Sequence, residues 1–248
     1  MKPAKKSRIK KAIRPAKKIE ATDLLNLMKS QQTVRNFKPN PVSDQKLNNV
    51  LQAARRAPSG ANTQPWDFIV VKDSKTKEKI ANIILQGKRL AKEKDKKFPY
   101  GNVEGLVRRF SDPPILIVVC ADTRFMKAYS KFGYREQTIN VSMGTVIQNM
   151  MLTAKALGLG LSWGTLDKLN REKLSKLFQV PTYIRVLEIL QLGYPAKIGS
   201  PGYRRDPHEF VHVGNFDVSK VRSDEEIEKL LSTRKAADIY SGAQRATN

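Results

Sequence analysis

The sequence is poor in the side chains that form disulfide bonds or bind zinc. Its 248 residues include one cysteine, Cys120, and two histidines, His208 and His212. A single thiol cannot form an internal disulfide, and these three residues cannot supply the four ligands of a structural zinc site. A carboxylate-rich cation site stays open as an alternative, although no ligand loop is visible. We therefore expect a metal-free protein of a reducing compartment, the cytoplasm.

Long apolar runs are also missing. The longest, Pro113 to Ala121, is far shorter than the roughly 20 residues that a membrane helix needs, and it predicts a buried strand. The first residues do not combine a charged start with an apolar segment, so we expect no secretory signal. Hydrophobic residues make up 40% of the chain, which is enough for the packed core of one sizeable domain or two small ones.

The positive charge is large and unevenly spread. Lys and Arg number 46 against 23 Asp and Glu, a formal net charge of +23. Residues 1–20 hold nine of these basic residues and one acidic residue, Glu20, without any apolar period. This composition predicts a disordered, solvated arm. The alternatives are an arm that binds nucleic-acid phosphates through counterion release, and a nuclear or organellar address.

Hydropathy patterns predict helices and strands that intermingle without regular alternation. Residues 137–157 follow the helical period, and we expect their methionines to pack in the core. The Lys-rich stretch 74–97 is helical in pattern, with Ile80, Ile83, Ile84 and Leu85 expected to be buried early, and its later charges suggest a mobile cover. Strands are predicted at 66–71, 115–121 and 185–192, with a short strand or turn at 159–164. Further helices are predicted from Thr22-Asp23, Ser43-Asp44, an Asn170 cap, and a Ser223/Glu226 capping box. This order favours an α+β layered domain.

Familiar hydrolase and nucleotide signatures are missing. Ser59 lies in A-P-S-G-A after a predicted helix, whereas a nucleophile elbow needs G-x-S-x-G after a strand. Neither G-x-x-x-x-G-K-[ST] nor G-x-G-x-x-G occurs. The sequence therefore gives no support to a serine hydrolase, a P-loop enzyme or a Rossmann dinucleotide site.

Two polar loops could instead bind a flat heterocycle that carries a phosphate. In T-V-R-N-F, residues 33–37, Arg35 offers a planar guanidinium that matches phosphate oxygens, or it is an ordinary surface arginine. Residues 57–66, A-P-S-G-A-N-T-Q-P-W, form a rigid loop. Its Asn62 and Gln64 can donate and accept hydrogen bonds, as the pyrimidine edge of a flavin requires. The alternative is a turn whose amides bond their own backbone.

Four elements in this order resemble the nitroreductase family. P-S-G-A-N-T-Q-P-W is similar to the family's flavin-binding loop, and T-V-R-N-F resembles its phosphate motif R-R-S-x-R-x-F. The segment I-Q-N-M-M-L-T-A-K-A-L-G-L-G resembles the family's central helix and the glycine turn behind it. Y-R-R-D-P-H-E-F-V-H resembles the family's C-terminal segment. The resemblance covers most of residues 21–217.

The resemblance implies an FMN site built from distant parts of the chain. Arg35 and Arg205 would bind the phosphate, while Ser59 and Asn62 would contact the ribityl and isoalloxazine groups. Trp163, Gly164 and Thr165 would line the flavin. The other implied cofactor contacts are Gln31, Thr33, Pro58, Gly60 and Gln64.

This chain departs from the family pattern in its phosphate motif. It has Gln31 and Gln32 where the family has two arginines, and Thr33 in place of the serine, so positive charge is lost while hydrogen bonding is kept.

The resemblance also implies the reaction and the assembly. NADH or NADPH would pass a hydride through FMN to a nitroaromatic, quinone or related small acceptor in a two-step exchange, without a named catalytic side chain. The fold would be a mixed or antiparallel sheet flanked by helices in an intertwined homodimer, with FMN at its interface. Residues 1–20 would form the arm, 21–217 the FMN-binding domain, and 218–248 a helical extension and tail.

Alternative functions follow from the same residues. A reductive dehalogenase or a flavin-consuming enzyme would use the same fold, although the glutamate, tyrosine and lysine set of the family's dehalogenase branch is not found in the cover. A flavin- or nucleic-acid-binding protein without turnover is the alternative from another class.

Overall fold

The computed structural model describes residues 19–94, 106–199 and 204–233. Most of the predicted basic arm lies outside these ranges. The same is true of residues 95–97 of the predicted cover, and of the predicted tail after residue 233.

Eight helices and four strands make up the described part of the chain. The helices are α1 (Ala21–Ser30), α2 (Asp44–Ala54), α3 (Ser74–Lys94), α4 (Leu106–Ser111), α5 (Arg124–Ala128), α6 (Glu136–Ala156), α7 (Lys168–Leu177) and α8 (Asp224–Thr233). The strands are β1 (Trp66–Val71), β2 (Ile115–Asp122), β3 (Gly160–Thr165) and β4 (Ile184–Gly193). The predicted α+β class is confirmed.

The strands form one antiparallel sheet in the order β1-β2-β4-β3. Strand β2 is buried along its whole length, because it lies in the interior of the sheet with helices on both faces. The register between β2 and β4 shifts between Val119 and Cys120, which marks a β-bulge. This bulge places Leu187 and Glu188 on the same side of β4, a point that matters for the site.

Each face of the sheet has its own hydrophobic core. On one face, α2 and α6 pack against alternate residues of β2, and the buried methionines Met143, Met150 and Met151 belong to this core, as predicted. On the other face, α3 and α7 supply Ile80, Ile84 and Leu174. The chain is thus a three-layer helix–sheet–helix structure.

The predicted burial of Ile80, Ile84 and Leu85 is confirmed, and the correction concerns the cover: α3, which the structure describes to Lys94, packs in the core instead of covering it. Its residues Ile80 and Ile84 are almost fully buried. Even Lys77 is buried: its Nζ donates to the Pro113 carbonyl at 2.8 Å, and burial lowers the pKa of its ammonium group. The lysines alternate with a continuous apolar stripe, and that stripe packs on the sheet.

Two predicted helix starts also need correction. Helix α1 begins at Ala21, and Glu20 occupies the N-cap without a side-chain hydrogen bond. Helix α7 is capped by Asp167, which accepts from the Asn170 backbone N–H at 2.8 Å, whereas Asn170 itself lies buried inside the helix. The Ser43 cap and the Ser223/Glu226 capping box are both confirmed.

Among the described residues, none of the helices has the length and apolar character that crossing a bilayer requires.

Candidate functional site

The loop between α2 and β1 has an unusual backbone. Ala61, Asn62 and Gln64 adopt positive φ angles of 50°, 50° and 48°, which side chains with a Cβ rarely tolerate. In the described ranges, only Gln179 shares this property among non-glycine residues. Each such residue costs on the order of 1–3 kcal/mol, and the conformation persists only where its surroundings impose it. Clustered strain of this kind is typical of functional sites.

Hydrogen bonds to α6 impose this conformation. The Gly60 N–H donates to Ser142 Oγ at 3.2 Å. The Thr145 hydroxyl lies 3.0 Å from the Pro58 carbonyl and shares its hydrogen with the Ser142 carbonyl at 2.7 Å. A Cβ built on Gly60 would lie 2.3 Å from Thr138 Cγ2, so only glycine allows the loop to approach the helix so closely. The loop is therefore pinned to the first half of α6.

The far end of the loop rests on an aromatic cluster. Thr63 Oγ1 and the Tyr134 hydroxyl lie 2.8 Å apart, and the Tyr134 ring packs against Phe125 and Tyr129. Phe132, which contacts Tyr129, is 84% exposed. This cluster forms an apolar wall beside the loop.

The pinned loop presents polar groups to solvent. The side chains of Asn62 and Gln64 are exposed. Ser59 Oγ accepts from the Gln64 N–H at 3.0 Å, which leaves the O–H of Ser59 as a donor for a ligand. The loop thus offers two amides and one hydroxyl on a rigid support.

The second predicted group, Trp163 to Thr165, lies at the end of β3 above a cavity of about 190 Å³. Gly164 packs tightly on β4, because a Cβ there would lie 3.1 Å from the Ile189 carbonyl. The Trp163 side chain is 42% exposed. The cavity is lined by Val119, Glu136, Asn140, Met143, Gly144, Ile147, Trp163, Arg171, Leu187 and Glu188.

The third predicted group runs alongside the start of β3. Thr33 bridges to Leu161, and the Val34 N–H donates to the Leu161 carbonyl at 3.3 Å. A Cβ on Gly160 would lie 2.4 Å from Val34 Cγ2, so the glycine permits this close approach. Gln31 and the second half of α6 line a cavity of about 20 Å³ beside it. Arg35 is the residue after Val34, and it is half-buried.

Arg205 belongs to the C-terminal segment. Its guanidinium lies 5.2 Å from the ring centroid of Phe210, and its side chain is exposed. The 3₁₀ turn that follows, Pro207–Glu209, is capped by Asp206, which His208 hydrogen-bonds. Hydrogen bonds from the His208 ring and from its backbone N–H hold the pKa of the Asp206 carboxyl below its usual value.

Helix α6 separates the predicted groups within one chain. At about 100° per residue, Thr138, Ser142 and Thr145 share one face and hold the loop. Asn140, Met143 and Ile147 line the cavity under Trp163 and point roughly the opposite way. The loop therefore lies on one side of α6, whereas Trp163 and the Thr33 segment lie along β3 on the other side.

Sequence reasoning missed several residues of this region. The polar stripe Thr138, Ser142 and Thr145 repeats at helical spacing within an otherwise apolar helix, and this signal could have linked α6 to the loop. Glu188 and Arg171 gave no local signal, because their approach depends on the packing of α7 against β4. Within the described ranges, no three His, Cys, Asp or Glu side chains cluster as a metal site would require.

Comparisons with known proteins add the family and the activities of relatives. A protein of Methanothermobacter thermautotrophicus named for NADH dehydrogenase or NAD(P)H nitroreductase activity is 29% identical over 189 residues, 75% of this chain and 84% of its own length. Iodotyrosine deiodinase 1 of Homo sapiens is 28% identical over 204 residues, 77% of this chain and 68% of its own length.

Solved structures share the fold. Nitroreductase A from Vibrio parahaemolyticus has a TM-score of 0.64 at 18% identity and covers 89% of this chain and 85% of its own. An FMN-dependent nitroreductase from Clostridium difficile has a TM-score of 0.57 at 23% identity, and the match covers 77% of this chain and 99% of the nitroreductase.

The model of the nitroreductase family matches residues 28–194, about two thirds of the chain. The match includes the loop, α6 and β3, and it ends before Arg205. The chain belongs to the nitroreductase family.

Proposed function

We propose that the protein is an FMN-dependent oxidoreductase that uses NADH or NADPH to reduce a nitroaromatic, a quinone or a related small acceptor. The strained loop from Pro58 to Trp66 is the observation that carries this proposal. Its exposed amides sit on a support that hydrogen bonds to α6 make rigid, and rigid polar groups of this kind are what orientation of a flat heterocycle requires. The family and its FMN-dependent and NAD(P)H-named members support it.

The residues present fit FMN. Asn62 and Gln64 provide donors and acceptors for the pyrimidine edge, and Ser59 has a free O–H for a ribityl oxygen. Arg35 and Arg205 provide guanidinium groups for the phosphate. Gln31, Thr33, Gly60 and the turn from Trp163 to Thr165 complete the proposed contacts. Bound FMN would supply the hydride chemistry, and the protein supplies binding and orientation.

A homodimer would join the two halves of this site. An exposed strip runs along α6 between its loop side and its β3 side, and it includes Gln137, Val141, Gly144 and Gln148. Val141 is 63% exposed, and nothing lies within 4 Å of a Cβ built on Gly144. Two α6 helices packed antiparallel about a two-fold axis would bury this strip. The loop of one protomer would then face Trp163 and Thr33 of its partner. We propose that FMN binds there.

The FMN assignment predicts a yellow protein that bleaches with NADH or NADPH. Arg35→Ala combined with Arg205→Ala should release the flavin, because both charge-assisted contacts to the phosphate are lost. The measurement is flavin absorbance per chain after gel filtration. Arg55→Ala is the matched control, since Arg55 is exposed and its guanidinium donates to Gln52 in its own helix turn. Full flavin occupancy in the double variant would refute the phosphate assignment.

The dimer proposal predicts that charge in the strip separates the protomers. Val141→Glu should give a monomer by sedimentation velocity and should lose FMN, because half of each site would be absent. Leu169→Glu, at an exposed apolar position on α7, is the control and should stay dimeric with flavin bound. A flavin-bound Val141→Glu dimer contradicts this interface.

Reductive dehalogenation is the second candidate. Iodotyrosine deiodinases from several animals are among the relatives, at 26–32% identity. Iodide release from an iodinated phenol, measured beside reduction of a quinone with the same donor, separates the two activities.

Cytoplasmic localisation and nucleic-acid binding by residues 1–20 remain predictions. Salt-sensitive DNA retention that is lost on deleting the arm would support nucleic-acid binding.

A further inference from the structure

A second cavity lies between α7 and the first residues of β4. Its volume is about 780 Å³, within the roughly 300–1,000 Å³ that small-molecule sites occupy. Strand β3 pairs with β4 only from Glu188 to Gly193, whereas β2 pairs with β4 from Ile184 onward. The outer edge of Ile184, Arg185 and Val186 therefore faces this cavity and not a neighbouring strand.

One face of α7 forms the opposite wall of the cavity. Lys168, Arg171 and Ser175 recur at three- to four-residue spacing, which places them on one face of the helix. Gln179 continues this wall just beyond the end of the helix. Apolar surface comes from the segment after the helix and from β4, through Val180, Pro181, Ile184 and Val186. The cavity thus combines apolar surface with polar and charged groups.

The charge of the lining is mostly positive. One acidic side chain, Glu172, lines the cavity together with four basic ones, Lys168, Arg171, Lys176 and Arg185. Arg185 is paired with Glu136, and Arg171 lies 4.0 Å from Glu188. Lys168 and Lys176 form no ion pair within the described ranges. An anion that enters the cavity would therefore meet two ammonium groups that no carboxylate of the described chain neutralises.

Gln179 has a strained backbone. Its φ is 51°, in the left-handed region that glycine adopts at low cost. The residue directly follows Phe178, the C-cap of α7, at a position where glycine is the usual choice for ending a helix. The glutamine side chain is exposed and lines the cavity. The chain thus places an amide group in this cavity despite the strain, and strained residues of this kind are frequent at ligand-binding sites.

We propose that this cavity binds a small organic phosphate with a flat apolar ring, of the size of a mononucleotide. A phosphate ester carries up to two negative charges, so it suits several cations better than a carboxylate does. The lysines would bind the phosphate, the amide of Gln179 would hydrogen-bond the edge of the ring, and the apolar surface would cover its faces.

The site does not depend on FMN or on the proposed dimer. Helix α7 packs on the face of the sheet opposite α6. A homodimer formed through α6 would therefore leave the cavity open. The inference goes beyond the proposed reaction, because it concerns a ligand other than the flavin, its donor or its acceptor.

Calorimetric titration with adenosine 5′-monophosphate tests the site in protein saturated with FMN. We expect one nucleotide per chain and an affinity that falls with salt, because the contact with the phosphate is ionic. Lys176→Ala should lower the affinity about 10-fold, since a charge-assisted contact is lost. Lys173→Ala is the matched control on the same helix. The Lys173 ammonium donates to Gln86 of α3, so this variant should bind as the wild type does.

Gln179→Gly separates binding from folding. Glycine relieves the left-handed backbone, so the melting temperature should stay the same or rise. The affinity for adenosine 5′-monophosphate should fall about fivefold, because the amide is lost. A loss of affinity in a variant that is at least as stable as the wild type cannot result from unfolding. Unchanged affinity in Gln179→Gly overturns the role of its amide.

The remaining outcomes decide the nature of the site. Absence of binding, or binding that Lys176→Ala leaves unchanged, overturns the proposal. Inorganic phosphate that binds as tightly as the nucleotide overturns the part assigned to the ring. Arg35→Ala combined with Arg205→Ala should still bind the nucleotide. If that variant loses the nucleotide, the ligand occupies the proposed phosphate contacts of FMN and this cavity is not its site. The two proposals therefore fail separately.

Discussion

Gly60→Ala should detach the strained loop from α6. In the native structure a Cβ at this position would lie 2.3 Å from Thr138 Cγ2 and 3.3 Å from Tyr134 Cε2. Thr138 cannot turn its methyl group away at no cost, since its Oγ1 accepts from the Arg135 N–H at 3.3 Å in the helix cap. The loop must therefore move outward, and the Gly60 bond to Ser142 lengthens.

The expected destabilisation follows from overpacking. Inserting a methyl group into a close contact typically costs about 1–3 kcal/mol. In a chain of this size, each kcal/mol lowers the melting temperature by about 2–4 °C. We expect a melting temperature several degrees lower, together with lower FMN occupancy, because the amides of Asn62 and Gln64 move with the loop.

A second substitution should restore the loop. Thr138→Ser removes the clashing methyl group but keeps the hydroxyl that caps α6. Alone it should cost less than about 0.8 kcal/mol, the value of one buried methylene. In the Gly60→Ala background it should recover stability and flavin, with a coupling free energy of about 1 kcal/mol or more in a double-mutant cycle by urea unfolding.

A comparable clash far from the loop provides the control. A Cβ on Gly87 would lie 2.5 Å from Asn170 Oδ1, where α3 meets α7. Gly87→Ala should lower the melting temperature in the same way and leave FMN occupancy unchanged. If Gly60→Ala keeps full stability and full flavin, or if Thr138→Ser gives no rescue, the pinned loop is not the structural basis of binding.

Two further predictions concern buried ionisable groups. Burial, assisted by the charge of Asp67, raises the pKa of the Cys120 thiol to about 12. The native protein should therefore resist iodoacetamide at pH 8 and react after unfolding in urea. Rapid labelling of the native protein contradicts this. The pKa of Glu188 is raised in the native state, so the folded chain binds this proton more tightly than the unfolded chain. Its contribution to the free energy of unfolding should fall as pH rises from 4.5 through the native pKa, and Glu188→Leu should remove this slope in urea titrations; an unchanged slope contradicts the assignment.

Much of the fold was predictable because it depends on local patterns. Strand β1 occupies the predicted residues, and α6 differs from its prediction by one residue at each end. The error at 74–97 arose because lysine content was taken as a sign of a cover. Lysine stems pack along apolar surfaces, and the isoleucine stripe of α3 determined its position.

The site was predictable only in part. Composition marked the loop as rigid, but the left-handed backbone at Ala61, Asn62 and Gln64 results from contacts with α6 that are distant in sequence. Glu188 lies in an apolar run that predicts a strand and nothing more. Burial raises the pKa of its carboxyl group, and the opposing charge of Arg171 comes from α7, in another layer of the fold.

The faces of α6 explain why one chain shows a divided site. One face packs in the core, a polar stripe holds the loop, and an exposed strip separates the loop from the β3 side. Substitutions in the polar stripe should change the loop and the stability of the single chain together. Substitutions in the exposed strip should leave the fold of the chain intact and change assembly and flavin binding together. Because these two responses differ, their comparison distinguishes a site shared between protomers from a site formed within one chain.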